Sequence, residues 1–280
     1  FLSQVTTEVL DQYKVYRKGS RSSRNGWEVE LSDEVNDRAQ NSVTAHTVNF
    51  EIRVLNIIFN LAMKWGYLKK NPAKAVTRLK VKDSKPIRFL SVEECQKLLE
   101  VCPEDLYPIY FTFLNTGMRK TELENLEWND IDFKRRKIKI RQKEFWQPKT
   151  GAREIPINSQ LLDLFTELKK KNDTDLRSNF VYPHKDGDRI RVKLQEKLIQ
   201  IAAKASIRDL TKLHTLRHTF ASHLVMQRVD LPTVKKLLGH SDIQTTMIYA
   251  HLAPDHLADA VDKLSFTGCL FSGKQKGRAN

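Results

Sequence analysis

Apolar residues recur with two different periods along this chain, and the change of period lays out its elements. Val5, Leu10, Tyr13 and Tyr16 follow helical spacing, with Thr6 or Thr7 as a cap and Glu8 in the first turn, which predicts an opening helix. The basic, Gly/Ser-rich stretch 18–26 breaks it, and no period stands out from Trp27 to Val43. Phe50, Val54, Ile57, Ile58, Leu61, Ala62 and Trp65 then form a stripe of 3.6-residue spacing, with Thr47 as N-cap and Gly66 as the stop. Asn71-Pro72 opens a short helix with Ala75 and Val76 facing inward. Residues 79–86 (LKVKDSKP) are basic, polar and end in proline, the composition of an interdomain linker.

Past the linker, Ser91-Val-Glu-Glu has the form of a capping box, and Leu106 to Asn115 is apolar enough for a buried helix. The period then shortens to two. Asp130–Phe133, Lys137–Ile140 and Arg153–Ile157 alternate, which predicts three short antiparallel strands. Lys134-Arg135-Arg136 joins the first two, and Pro148-Lys149-Thr150-Gly151 turns into the third. From Leu161 the pattern is helical again, interrupted at 180–183. Pro232 starts a helix that Gly239 ends, and Ser241 is placed to cap a last one carrying Tyr249. The predicted class is mainly α with a small antiparallel β-sheet.

Composition changes that picture in one respect. The 280 residues hold 48 Lys+Arg against 34 Asp+Glu, a formal charge of +14, on a globular background of 40% hydrophobic residues. Such an excess implies a polyanionic partner, nucleic acid before anionic membrane. No apolar run reaches the ~18 residues of a membrane span. Three cysteines without C-x-x-C spacing (Cys95, Cys102, Cys269) exclude a disulfide scaffold, disfavour structural zinc and fit a reducing cytoplasm. The chain opens on Phe1 with no secretory signal, and we read it as a fragment lacking an upstream segment.

Six of the eight histidines fall between residues 214 and 256. His214 and Arg217 are three apart and share a helical face, and Gly239 leaves His240 in a turn. His214/His218 has the spacing of half a metal site, but Arg217 between them repels a cation and no Glu completes H-E-x-x-H, so we expect no metal and no cofactor. Taken singly, His218, His223, His251 and His256 are packing or surface residues, and Tyr249 is an ordinary helix tyrosine.

Together these residues carry more. His214-x-x-Arg217, Leu237-Leu238-Gly239-His240 and Tyr249 closely resemble the active-site signature of the tyrosine recombinases, or phage integrase family. Thr116-Gly117-Met118-Arg119-Lys120-Thr121-Glu122-Leu123 resembles that family's first-arginine motif, and Lys149 falls where the family keeps a hairpin lysine. Thr47 to Pro72 looks like the last helices of its core-binding domain. The resemblance spans nearly the whole chain and is weakest from Ser20 to Val43. It implies a two-domain, C-shaped clamp on DNA. Residues 1–80 would be a helical core-binding domain, 81–87 a linker, 88–263 the catalytic domain and 264–280 a tail.

It also implies roles. Tyr249 would be the nucleophile of a 3′-phosphotyrosyl intermediate, Arg119 and Arg217 phosphate clamps, Lys149 the acid for the leaving hydroxyl, and His214 an acid or base at Tyr249. His240 would donate to phosphate or assist Tyr249, and Glu122 would orient Arg119. Lys80, Lys82, Lys85, Arg88, Arg17, Lys18, Arg21 and Arg24 are candidate phosphate contacts. The partners expected are double-stranded DNA core sites, three further copies in a homotetramer on two sites, and accessory DNA-bending or directionality factors. A membrane is not among them, and the location expected is cytoplasmic, on the nucleoid when DNA is bound. Integration or excision of a mobile element is the leading role, with Xer-like chromosome or plasmid dimer resolution second. A single-cut relaxing enzyme and a non-enzymatic helix-turn-helix regulator are rivals. The regulator rests on 234–249, a helix, a Gly-centred turn and a helix, and leaves Arg119, His214 and Arg217 without work. The tail segment 264–271 is apolar enough to dock on a neighbouring subunit.

Overall fold

A computed structural model describes residues 2–19, 43–81, 87–174, 178–254 and 261. The chain divides into two compact units, residues 1–86 and 87–280. Arg21, Arg24, Lys82, Lys85 and the tail 264–280 lie outside the described residues.

The first unit is built on α1 (Thr7–Gly19) and α2 (Ala45–Lys64). Thr6 caps α1, its hydroxyl accepting from the Val9 amide at 3.3 Å. α2 begins earlier than the spacing predicts. Thr44, not Thr47, is its N-cap, because the Thr44 hydroxyl accepts from the Thr47 amide at 3.2 Å. The face of α2 also differs from expectation. Val48, Ile52, Phe59 and Ala62 are buried, Ile52 and Phe59 packing with Leu10, Ala73 and Val76, while Phe50, Ile57 and Trp65 of the predicted stripe are 55%, 59% and 63% exposed. α2 carries two apolar stripes, and periodicity cannot tell which one a partner covers. After Gly66, Pro72–Ala75 is a single 3-10 turn rather than an α-helix, and Ala73, not Ala75, is buried beside Val76.

The second unit holds the larger core. α3 (Val92–Glu100) opens on the expected capping box: the Ser91 hydroxyl accepts from the Glu94 amide, and the Glu94 carboxylate from the Ser91 amide. α4 (Tyr107–Thr116) is buried and packs against α8 (His214–Met226). The sheet is antiparallel in the order β1 (Ile131–Asp132), β2 (Lys137–Ile140), β3 (Arg153–Pro156). Ile138 pairs with Ile131 on one side and Ile155 on the other, so one face enters the core while Lys137 and Lys139 point away from it. α5 (Lys120–Glu124), α6 (Ser159–Thr174) and α7 (Leu194–Lys204) complete the surroundings. α9 (Leu231–Leu238) is capped by Asp230, whose carboxylate accepts from the Thr233 amide at 2.8 Å. α10 (Gln244–Met247) is a single turn, with Asp242 rather than Ser241 accepting from its first amide. Tyr249 follows α10 instead of sitting on it, and packs with Ala221, Val225, Val234 and Leu238.

Candidate functional site

A helix ends with carbonyls that have no partner within it, and at its C-terminus the helix dipole favours positive charge. The end of α9 meets both demands with three guanidinium groups from three different elements. Arg153, at the start of β3, donates from Nε to the Leu237 carbonyl at 3.0 Å. Arg217, from α8, donates to the Leu238 carbonyl at 2.6 Å. Arg119, at the N-cap of α5, donates to the Gly239 carbonyl at 3.2 Å. Successive carbonyls of Leu237-Leu238-Gly239 thus fix the positions of three arginines.

Two glycines allow the approach. Gly239 has φ +66, and a Cβ there would lie 2.7 Å from the Arg153 side chain. Gly117 has φ +59, a Cβ would lie 2.5 Å from Phe220, and its carbonyl accepts from Arg217 at 2.6 Å.

Glu122 is the counter-ion. Its carboxylate receives two hydrogen bonds from Arg153 (2.8 and 2.7 Å), one from the Arg119 side chain (2.9 Å) and one from the Arg119 amide (2.8 Å). Burial alone would raise its pKa, but the arginine bonds outweigh it and hold the carboxyl below its usual range. Three guanidinium groups against one carboxylate leave two positive charges uncompensated. Arg217 is 2% exposed, and burial followed by the charge of Arg119 pushes its pKa down to about 9, so it remains a cation at neutral pH.

The histidines and the tyrosine border this cluster. His240 Nδ1 lies 2.9 Å from the Thr246 hydroxyl, which ties the turn to α10. Burial, then Arg217 and Arg119, pushes His240 to about 4. His214 keeps an exposed edge and meets the His218 ring edge-on at 4.8 Å, and partial burial of its ring, then Arg217 and Arg119, lowers its pKa. Tyr249 is 1% exposed, and burial pushes its hydroxyl up to about 12 against the pull of Arg217. Lys149 is exposed, and its neighbour Thr150 accepts from Arg119 at 3.0 Å, which brings the turn to the edge of the cluster.

Both the sequence and the fold are similar to those of known proteins. The profile of the phage integrase family matches residues 88–256, which contain every residue just described. The chain belongs to the phage integrase family. By that membership it is a site-specific tyrosine recombinase. It is 34% identical over 236 residues to the tyrosine recombinase XerC of Thermodesulfovibrio yellowstonii, covering 78% of this chain and 75% of that one. It is 30% identical over 260 residues to the ICEBs1 integrase of Bacillus subtilis, covering 84% and 69%. The fold is similar to that of the Tn1549 transposon integrase in complex with transposon right end DNA, with a TM-score of 0.69 at 20% identity over 94% of this chain and 85% of that one. It is also similar to XerH bound to its palindromic difH substrate, with a TM-score of 0.67 at 19% identity over 94% and 73%.

Two residues in contact with this cluster are not singled out by the sequence. Arg153 was only an alternating strand position, yet it shares parity with the buried Ile155 and Ile157, and that inward parity was the available signal. His218 reads from the sequence as a packing or surface residue, but its Nδ1 lies 2.7 Å from the Tyr249 hydroxyl. Its signal was the four-residue step from His214 on one helix. Of the candidate phosphate contacts, Arg17 is paired with Glu51 at 3.0 Å and Arg88 with Glu94 at 2.5 Å, so neither charge stands free, whereas Lys18 and Lys80 are exposed. Among the described residues no helix is long and apolar enough to cross a membrane.

Proposed function

We propose that this recombinase cuts and rejoins double-stranded DNA by transferring a scissile phosphate to Tyr249. The observation that carries this reading is the charge imbalance at the end of α9: three arginines fixed in place, one carboxylate, and a buried tyrosine beside them. A phosphodiester supplies the missing negative charge, and its charge rises in the transition state, where preorganised guanidinium donors act most strongly.

In this scheme the Tyr249 oxygen bonds to phosphorus and the bond to the 5′ oxygen breaks, leaving a 3′-phosphotyrosine. The phenolic proton passes to a base, and the departing hydroxyl takes one from Lys149 on its exposed turn. Attack by a second DNA hydroxyl reverses the exchange and restores Tyr249, so the bond energy is conserved without an external source. Arg119 and Arg217 grip the phosphate oxygens, and His240 donates a hydrogen bond to them. Glu122 orients Arg119, and Arg153 holds Glu122. Lys18 and Lys80 contact the DNA backbone, and each unit contributes to binding the duplex. A homotetramer on two core sites, with accessory DNA-bending or directionality proteins, completes the reaction.

Integration or excision of a mobile element is the role proposed, on the likeness to the ICEBs1 integrase. The likeness to XerC supports dimer resolution as the second reading. The chemistry is tested by incubating the protein in EDTA with nicked duplexes of randomised sequence, then sequencing DNA that stays attached in detergent. A covalent adduct enriched for one core sequence is expected. Intact DNA, or free nicks that need a divalent cation, would contradict the scheme. Plasmids carrying one or two copies of the recovered site then separate integration from resolution.

A further inference from the structure

Tyr249 needs a proton acceptor close at hand. With its hydroxyl pushed up to about 12, almost none of it is phenolate at neutral pH. Among the described residues the hydrogen bond of that hydroxyl is to His218 Nδ1, at 2.7 Å, with the rings 5.9 Å apart between centroids. His214, the candidate from sequence, contacts the ring of His218. We propose that His218 is the general base that takes the phenolic proton of Tyr249 during attack and returns it during rejoining.

The surroundings set the protonation state of the ring. The groups facing His218 are His214 and Arg217 on its own helix, Lys212 just before it, and Tyr249 from the segment after α10. Burial, then His214, Arg217 and Lys212, pushes its pKa down to about 4, so the ring is neutral at neutral pH. A neutral ring with its hydrogen on Nε2 leaves Nδ1 free to accept from the phenol. In the forward step the Tyr O–H bond breaks, its proton goes to Nδ1, the oxygen–phosphorus bond forms and the bond to the 5′ oxygen breaks. In the reverse step the imidazolium, crowded by positive charge, gives the proton back to the departing phenol.

The inference rests on the recombinase reading, and the test separates the two. Adduct formation on the randomised nicked duplexes is followed at saturating protein from pH 5.5 to 8. For the wild type, a base already neutral predicts a rate that hardly changes with pH, whereas attack by free phenolate predicts a tenfold rise per unit. His218→Gln is expected to lose ~100- to 10,000-fold in rate, the usual contribution of a general base, while still binding the duplex. A wild-type rate rising tenfold per unit, or a variant as fast as or faster than wild type, would overturn the role of His218 and leave the recombinase reading intact. Absence of any wild-type adduct would instead remove the recombinase reading. Should His218→Gln fail to fold, His218→Asn is measured in its place, with the same expected and contradicting results.

Discussion

Arginine is used in two ways in this molecule. In the first unit, Arg17 meets Glu51 in a one-to-one pair at 3.0 Å, partly open to solvent. In the second, Arg119 and Arg153 share Glu122, those two and Arg217 take the three carbonyls of the L-L-G motif, and the charge is left unbalanced. A balanced pair needs nothing more. An unbalanced cluster, held open by backbone carbonyls and a helix terminus, is prepared for an anion. The cost of preparing it falls on the fold, because buried charges must be kept paired and hydrogen-bonded.

The widest gap between the two regions should appear on removing each carboxylate. Glu122→Ala leaves buried guanidinium groups without their counter-ion and is expected to destabilise the protein by ~3–5 kcal/mol, read as a lower midpoint in urea. A midpoint unchanged within error would show that the carbonyls alone hold the arginines. Arg119→Lys keeps the charge but loses the two-pronged grip. Adduct formation should slow by ~100- to 1,000-fold with duplex binding retained, and a rate within a few-fold of wild type would remove Arg119 from the phosphate.

Acid should act on the site before it acts on surface pairs. His218 and His240 are both pushed to about 4, below the ordinary histidine value of 6.5. Their folded pKa values are depressed, so the unfolded chain binds protons first as pH falls. Their contribution is fully present above about 6.5 and is lost between there and about 4. The melting temperature should therefore drop from pH 7 to pH 5, and a constant value would contradict the neutral histidines. The smallest effect belongs to the balanced pair: Glu51→Ala should cost only ~0.2–1 kcal/mol, and a loss as large as that of Glu122→Ala would erase the contrast.

Much of this arrangement was legible in the sequence because it is local. The capping box at Ser91, the alternation of β2 and β3, and the stops at Gly66 and Gly239 each depend on residues within a few positions of one another. The motif residues Arg119, Glu122, His214, Arg217, His240 and Tyr249 stood out by type and spacing. The missed contacts cross the chain. Arg153 reaches Glu122 over 31 residues and Leu237 over 84, and His218 reaches Tyr249 over 31. Nothing near Arg153 or His218 announces those partners. The buried face of α2 was misread for a related reason, since two apolar stripes of similar strength compete and only packing decides between them.

The central claim is that the unbalanced cluster presents a phosphate to Tyr249. Its most direct test is to digest the adduct formed on nicked duplex and locate the nucleotide by mass spectrometry, alongside Tyr249→Phe. The account predicts a nucleotide bound through its 3′ phosphate to the peptide carrying Tyr249, and no adduct from the variant although it still binds DNA. A nucleotide on any other residue, or an adduct that survives Tyr249→Phe, would contradict it.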